Sequence, residues 1–172
     1  MVDKLTTERR SWTMSRVRSG NTKPELIVRS LLHRCGLRFT LRRRDLPGKP
    51  DVVLPKYHAA IFVHGCFWHR HSGCPRATTP STQRDFWERK FARTVERDQE
   101  NEQRLREQGW RVFVVWECEV TADPRATVRY LIENIAPERA PGIRYDTLPD
   151  RRETLRVAEQ RLHWQLRATD ES

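Results

Sequence analysis

The chain has 172 residues, with 33 Lys and Arg against 23 Asp and Glu and a formal net charge of +10. That length suits one domain with a modest core and is short for two. No run of eighteen apolar residues occurs and the opening Met1-Val2-Asp3-Lys4 lacks the apolar stretch of a secretory signal, so no transmembrane helix is expected and a cytoplasmic protein is the default.

Residues 1–20 form a basic N-terminal segment, a short helix or an arm, with Trp12 and Met14 as isolated apolar points. Thr22, Pro24 and Glu25 then read as a helix start with a capping box. This helix carries Leu26, Ile27, Leu31 and Leu32 and is expected to end near Gly36. Alternation over Leu37–Leu41 suits a strand. A basic loop from Arg42 closes with Leu46-Pro-Gly-Lys-Pro50. Asp51–Leu54 and Ala59–Val63 are short apolar runs that read as a β-hairpin in the middle of a sheet. Residues 64–82 are irregular. From Arg84 to Gln108 the pattern is helical, with Trp87, Phe91, Val95 and Leu105 on one stripe, and Gly109 ends it. Arg111–Trp116 reads as a buried strand, and a helix follows around Arg125–Ile135. Ala136–Pro149 reads as a loop, and Arg152–Arg167 as an amphipathic helix carrying Leu155, Ala158, Leu162 and Leu166. The order of elements gives an α/β domain over 21–135 with a central mixed sheet flanked by helices, and a helical extension over 136–172.

The positive balance, with arginines clustered early in the chain, points to an anionic partner. Nucleic acid comes ahead of acidic membranes because basic side chains displace counterions from phosphates. Four cysteines are too few and too far apart to staple a small fold. Cys66, His71 and Cys74 instead lie within nine positions, and Cys118 follows a strand and can supply a fourth ligand. A Cys₃His set meets the tetrahedral preference of Zn²⁺ with no open position, which marks a structural site. Cys35, on the apolar side of its helix, reads as a core residue.

Asp51 at the head of a strand, beside a second strand ending in Val63-His64, offers hard oxygen to Mg²⁺, although Pro-Asp alone is a common turn. Asp98 sits on an apolar stripe and needs a partner. Orienting the His69 imidazole is one use, and a salt bridge to Arg97 or Arg93 is another. Phe67 and Trp68, in a loop between ligand candidates, either close the core or wedge between base pairs, and Trp87 has the same two readings.

Taken together, Met14–Glu25, Leu46–Asp51, Ile61–His71, Val95–Asp98 and Gly109–Cys118 resemble the very short patch repair (Vsr) mismatch endonucleases over about residues 8–135. The resemblance implies a restriction-endonuclease-like fold, zinc at Cys66, His71, Cys74 and Cys118, and nicking of one DNA strand 5′ to the thymine of a T:G mismatch left by deamination of 5-methylcytosine. It implies Mg²⁺ at Asp51 and the main-chain carbonyl of Val63. It gives Glu25 a contact to metal-bound water, His64 a contact to the scissile phosphate, His69 the role of general base and Asp98 that of orienting it. Phe67, Trp68 and Trp87 would intercalate beside the mismatch, with Met14 approaching from the other groove. Implied partners are duplex DNA with a T:G mismatch, mismatch-repair proteins and a repair polymerase, for a monomeric enzyme at the nucleoid. Three features depart from expectation. Phe62-Val63-His64 stands where the broader restriction-enzyme superfamily has an acid-x-Lys pair, Thr94 stands where Asn often precedes Val-Glu-Arg-Asp, and Ser72-Gly73 lengthens the ligand loop. A zinc-stabilised DNA-binding module without catalysis, or a nuclease for methylated or branched DNA, is the competing reading.

Overall fold

The computed structural model describes residues 20–41 and 43–170. The basic segment through Ser19, with Met14, and Arg42 lie outside the described residues.

Helix α1 (Lys23–Arg34) starts where its sequence directs. The Thr22 hydroxyl accepts from the Glu25 N–H, and the Glu25 carboxylate accepts from the Thr22 N–H at 3.3 Å, so two N–H groups left without helical partners are satisfied reciprocally. Gly36, at φ +77°, turns the chain out of the helix in a conformation that costs glycine nothing. The segment after it is not a strand: Thr40 makes one isolated bridge, exchanging main-chain hydrogen bonds of 2.8 and 2.9 Å with Val53. The physical reason is the shortness of its neighbour. Strand β1 (Val52–Leu54) has three residues, so its outer edge presents the N–H and C=O of the central one alone.

A turn at Pro55–Tyr57, closed by His58 in the left-handed region, brings the chain back as β2 (Ala59–His64), antiparallel to β1. After a long loop, α2 (Arg84–Glu107) leads to β3 (Arg111–Trp116), parallel to β2 with Val63 opposite Val115 and His64 opposite Trp116. The sheet order is β1-β2-β3, so the hairpin is present and β2 is central. The expectation of a buried β3 is corrected: only Val115 is buried, because β3 closes one side of the sheet. Three elements were not foreseen, a short helix α3 (Glu117–Ala122) directly after β3 and two 3₁₀ turns within 136–149. Then come α4 (Pro124–Ile135) and α5 (Arg151–Asp170).

Side-chain alternation sorts the sheet into two faces. Val52, Leu54, Ala59, Ile61 and Val63 meet Val115, α1, α4 and α5, while Val53, Ala60 and Phe62 meet Leu105 of α2. All six residues of β2 are buried, as befits a strand covered on both faces. The extension belongs to the first of these cores: Leu148 and Ala158 are buried in it, and Arg125 donates to the carbonyls of Leu148 and Pro149. Residues 136–172 carry seven arginines and seven acids, so the net positive charge resides entirely in the first 135. Among the described residues no helix is long and apolar enough to cross a membrane.

Leu32 is fully buried between the sheet and the packed helices. Leu32→Ala is expected to lower the unfolding free energy by about 2–5 kcal/mol, read from urea denaturation. A loss below ~1 kcal/mol would contradict this packing.

Candidate active site and metal centre

The polar residues gather where β1 begins and β2 ends. Gly48, at φ +69°, crosses so close to α2 and β2 that an added Cβ would come within 2.9 Å of Asn101 Cβ and 3.1 Å of Phe62 Cζ. The Leu-Pro-Gly-Lys-Pro loop is thereby pressed onto the sheet and delivers Asp51 to the edge of β1. The Asp51 N–H donates to the Ile61 carbonyl at 3.0 Å, and its Oδ2 accepts from the Val63 N–H at 2.8 Å. Among the described residues Oδ1 accepts no hydrogen bond.

Glu25 faces this region from α1 and is 4% exposed. Its carboxylate accepts from the Asn21 N–H at 3.0 Å, the Thr22 hydroxyl at 2.8 Å and Arg29 Nη2 at 2.6 Å. Burial pushes the Asp51 carboxyl up to about 6, and the nearby Glu25 charge adds to the rise, against the pull of the Val63 N–H, Arg29 and His69. A partly desolvated carboxyl beside a like charge behaves this way.

His64 ends β2, and His69 lies in the following loop, where its N–H donates to the Gly65 carbonyl at 3.1 Å. The two imidazoles stack with centroids 3.9 Å apart and planes 6° from parallel. His69 Nδ1 sits 2.5 Å from Asp98 Oδ2 on α2, so the expected pairing of His69 with Asp98 is formed. Asp98 also lies 3.4 Å from Arg97. Burial raises the Asp98 carboxyl, but the His69 hydrogen bond and the surrounding positive charge leave it below the usual range. Burial pushes His64 down to about 4, with His69 acting in the same direction. The ligand atoms of His64, His69 and Asp98 lie within 4.8 Å of one another, yet ring lone pairs lie in the ring planes. Two parallel, stacked imidazoles cannot aim theirs at one ion, and Nδ1 of His69 is already engaged. This trio suits proton handling rather than metal binding.

The ligand atoms of Cys66, His71, Cys74 and Cys118 also lie within 4.8 Å of one another. His71 Nδ1 is 3.7 Å from the Cys66 sulfur and 3.2 Å from that of Cys118, close to the ~3.6 Å edge of a tetrahedron built from zinc–sulfur and zinc–nitrogen bonds. The four could hold a metal ion, and the donor set is compatible with a structural zinc. Cys118 reaches the cluster from the first turn of α3, and the His71 ring stacks on Trp116 with centroids 4.2 Å apart. Burial pushes the Cys66 thiol up to about 12 and raises Cys118, whereas the Arg76 N–H lowers Cys74.

Phe67, Trp68 and Trp87 come together with Phe91: Phe67 meets Trp68 at 5.0 Å, Phe91 at 5.1 Å and Trp87 at 5.7 Å. Phe67 and Trp68 are half-buried at the surface, and Trp87 is buried behind them. Of the three, Trp87 is thus part of the packed interior, while Phe67 and Trp68 keep part of their rings at the surface. Sequence reasoning passed over Phe86, 48% exposed beside Trp87, and Lys90, whose ammonium lies 5.2–5.7 Å from the rings of Trp68, Phe86 and Trp87. It also passed over Arg29, although the Glu25–Arg29 spacing of four on a helix was a usable signal.

A family model described as DNA mismatch endonuclease Vsr matches residues 2–75. The chain is 51% identical over 121 residues to the type II nicking enzyme V.XorIIP of Xanthomonas oryzae pv. oryzae, covering 70% of this chain and 88% of the relative. It is 44% identical over 120 residues to the type II nicking enzyme V.NmeAIP of Neisseria meningitidis, covering 70% and 85%. With the DNA mismatch endonuclease Vsr of Escherichia coli it shares 40% identity over 126 residues, covering 73% and 80%.

The raised Asp51 carboxyl has a stability consequence. A carboxyl that titrates at about 6 when folded, against 3.8 ordinarily, makes ionisation unfavourable to the folded state. The cost is complete above pH ~6 and fades as the pH falls toward 4. Without added Mg²⁺, Asp51→Asn is therefore expected to stabilise the protein at about pH 7.5, by up to ~3 kcal/mol. The gain should shrink toward pH ~4. Calorimetric melting across that range reads it, and a variant equally or less stable at pH ~7.5 would contradict the burial argument.

Proposed function

The chain belongs to the Vsr family of DNA mismatch endonucleases, and from that membership we propose that it nicks one strand of duplex DNA 5′ to the thymine of a T:G mismatch, beginning very short patch repair. The observation that carries the reading is the meeting of Asp51, Glu25, His64, His69 and Asp98 at one corner of the sheet, beside an aromatic surface. The restriction-endonuclease-like fold is part of the same proposal, supported by the mixed sheet with helices on both faces.

Asp51 fits Mg²⁺ in its donor chemistry: a desolvated carboxylate with Oδ1 open among the described residues, and a second acid nearby. In a strand the N–H and C=O of one residue project to the same side, so the Val63 carbonyl is turned toward Asp51, as its N–H is. Asp51 and this carbonyl are proposed to hold the ion, with Glu25 reaching its water. Mg²⁺ bound there would supply charge stabilisation at the scissile phosphate and acidify water.

The remaining chemistry belongs to the side chains. With Nδ1 facing the Asp98 carboxylate, the ring proton of His69 sits on Nδ1 and the lone pair on Nε2, which takes a proton from the attacking water. Asp98, held ionised, steadies the imidazolium that results. His64 is kept neutral by burial, so its stacked neighbour can become charged without facing a second positive ring, and it is proposed to contact the scissile phosphate. Phe67 and Trp68, with Trp87 behind them, are proposed to enter the duplex beside the mismatch, the unstacking being offset by new protein–DNA contact. Met14 is assigned to the opposite groove on the resemblance alone. Zinc at Cys66, His71, Cys74 and Cys118 is proposed as structural, tying the loop after β2 to α3. The enzyme is proposed to act as a monomer at the nucleoid in the cytoplasm, with mismatch-repair proteins and a repair polymerase as partners.

The test is cleavage of a labelled duplex with a single T:G pair in several sequence contexts. A nick confined to the thymine strand is expected with Mg²⁺, and none with EDTA or with T:A and C:G duplexes. Equal cutting of matched DNA would overturn the mismatch reading. His69→Ala is expected to slow nicking by roughly 10²–10⁴-fold with DNA affinity retained. An unchanged rate would remove His69 as the base. Cys118→Ser is expected to lower bound zinc and thermal stability together, and a fully zinc-loaded, equally stable variant would dismiss the structural metal site.

A further inference from the structure

Arg29 is the buried cation nearest the two acids, 7% exposed and on the same face of α1 as Glu25. A helical Glu–Arg pair four residues apart is ordinarily a surface feature of small effect. This one departs from that in three respects. Both partners are buried, with Nη2 of Arg29 2.6 Å from Glu25 Oε2. The same Nη2 donates to the main-chain carbonyl of Asp51 at 3.2 Å, leaving the helix and reaching the edge of β1. Nη1 donates to Asn21 Oδ1 at 2.8 Å, and the Asn21 N–H returns to Glu25 Oε2 at 3.0 Å, with Asn21 itself at φ +56°.

The guanidinium thus serves three acceptors on three pieces of chain, while its Nε–H is buried with no partner among the described residues. A buried donor without an acceptor is unfavourable. A lysine could neutralise Glu25 without leaving such a group stranded. What only arginine adds is the planar fork, whose separate N–H groups reach several acceptors at fixed angles. The stranded Nε–H is accepted in exchange for that fork.

From this geometry we infer that Arg29 is a positioning residue for the nicking reaction: its guanidinium fixes the spacing between the Glu25 carboxylate on α1 and the main chain of Asp51 at the head of β1. The inference rests on the nickase reading for its functional consequence and on the hydrogen bonds alone for its structural one. Asp51 is then held on three sides: its N–H by the Ile61 carbonyl, its Oδ2 by the Val63 N–H and its carbonyl by Arg29. The first belongs to the main-chain pairing of the hairpin, and the second depends on where the Asp51 carboxylate is held at the end of β2. Only the third relates Asp51 to the helix bearing the second acid, so its loss lets the two carboxylates drift apart while the hairpin stays intact.

The experiment compares the full chain with Arg29→Lys and Arg29→Met in two measurements. The first is amide hydrogen exchange of the protein without Mg²⁺. Faster exchange is expected at Asn21, Thr22 and Val63 in both variants, with the rest of β2 unchanged. The second is nicking of the T:G duplex at saturating Mg²⁺ and DNA, alongside DNA affinity in EDTA. The turnover rate is expected to fall about 100-fold in Arg29→Met, the size of loss that displacement of a reacting group by about 1 Å produces. It should fall about tenfold in Arg29→Lys, with DNA affinity unchanged to within about twofold in each. Arg29→Lys keeps the charge and so carries the test if Arg29→Met does not fold. Wild-type turnover and wild-type exchange in Arg29→Lys would overturn the inference, as would exchange that rises uniformly through the domain, since a plain stabilising ion pair would behave so. If the unmodified chain fails to nick T:G duplexes, the nickase reading falls, and the exchange measurement still decides whether Arg29 holds Asp51 in place.

Discussion

A strand buried along its whole length must still come to an end, and where it does its last polar groups need partners of their own. β2 is buried from Ala59 to His64, and the hydrogen bond from the Val63 N–H to the Asp51 carboxylate is how it meets that need. The bond closes the open end of the hairpin with a side chain rather than a main-chain carbonyl. It thereby holds a carboxylate at the margin of the apolar interior, partly withdrawn from water, where ionisation is disfavoured. The rest of the corner follows from it. A buried acid, Glu25, stands near Asp51, a buried arginine joins the two, and His64 ends the strand with His69 following in the loop.

The loop from Gly65 to Gln83 poses a different physical problem. Of its residues only Cys66 is buried, so the hydrophobic effect does little to hold it. The Cys66, His71, Cys74 and Cys118 cluster fastens one part to α3, and the ring contacts of Phe67 and Trp68 with Trp87 and Phe91 fasten another to α2. His69 lies between these two attachments. Its place under His64 and against Asp98 is therefore inherited from both, which explains how the residue proposed as general base can sit on an irregular loop and still be well placed.

Much of this was legible in the amino-acid order, for identifiable reasons. The Thr22–Glu25 box, the apolar runs of the hairpin, and the polar Asp98 on an otherwise apolar stripe are local signals, readable within a few residues. The Cys66, His71, Cys74 and Cys118 cluster was legible because three of its four members fall within nine positions. What escaped depends on distant parts of the chain. Leu37–Leu41 has the alternation of a strand, but pairing is limited by β1, whose length cannot be read from that segment. β3 looks buried from its composition, yet its burial is set by its place in the sheet order. Helix α3 is only six residues long, below the reach of periodicity. The parallel stacking of His64 on His69 and the span of Arg29 from α1 to Asp51 are relations between elements, and nothing in the spacing of the residues announces them.

Glu25 occupies the third helical position of α1, where its carboxylate caps the backbone of Asn21 and Thr22 while lying beside Asp51. One side chain therefore takes part in two equilibria, the formation of the first turn of the helix and the charge balance of the corner that holds Asp51. Whatever draws its oxygens toward the corner weakens their hold on the N–H groups at the head of the helix. Any cation bound at the corner would thus be thermodynamically linked to helix initiation through this residue. The linkage also limits substitution: at position 25, a change that alters the chemistry of the corner alters the first turn of α1 as well.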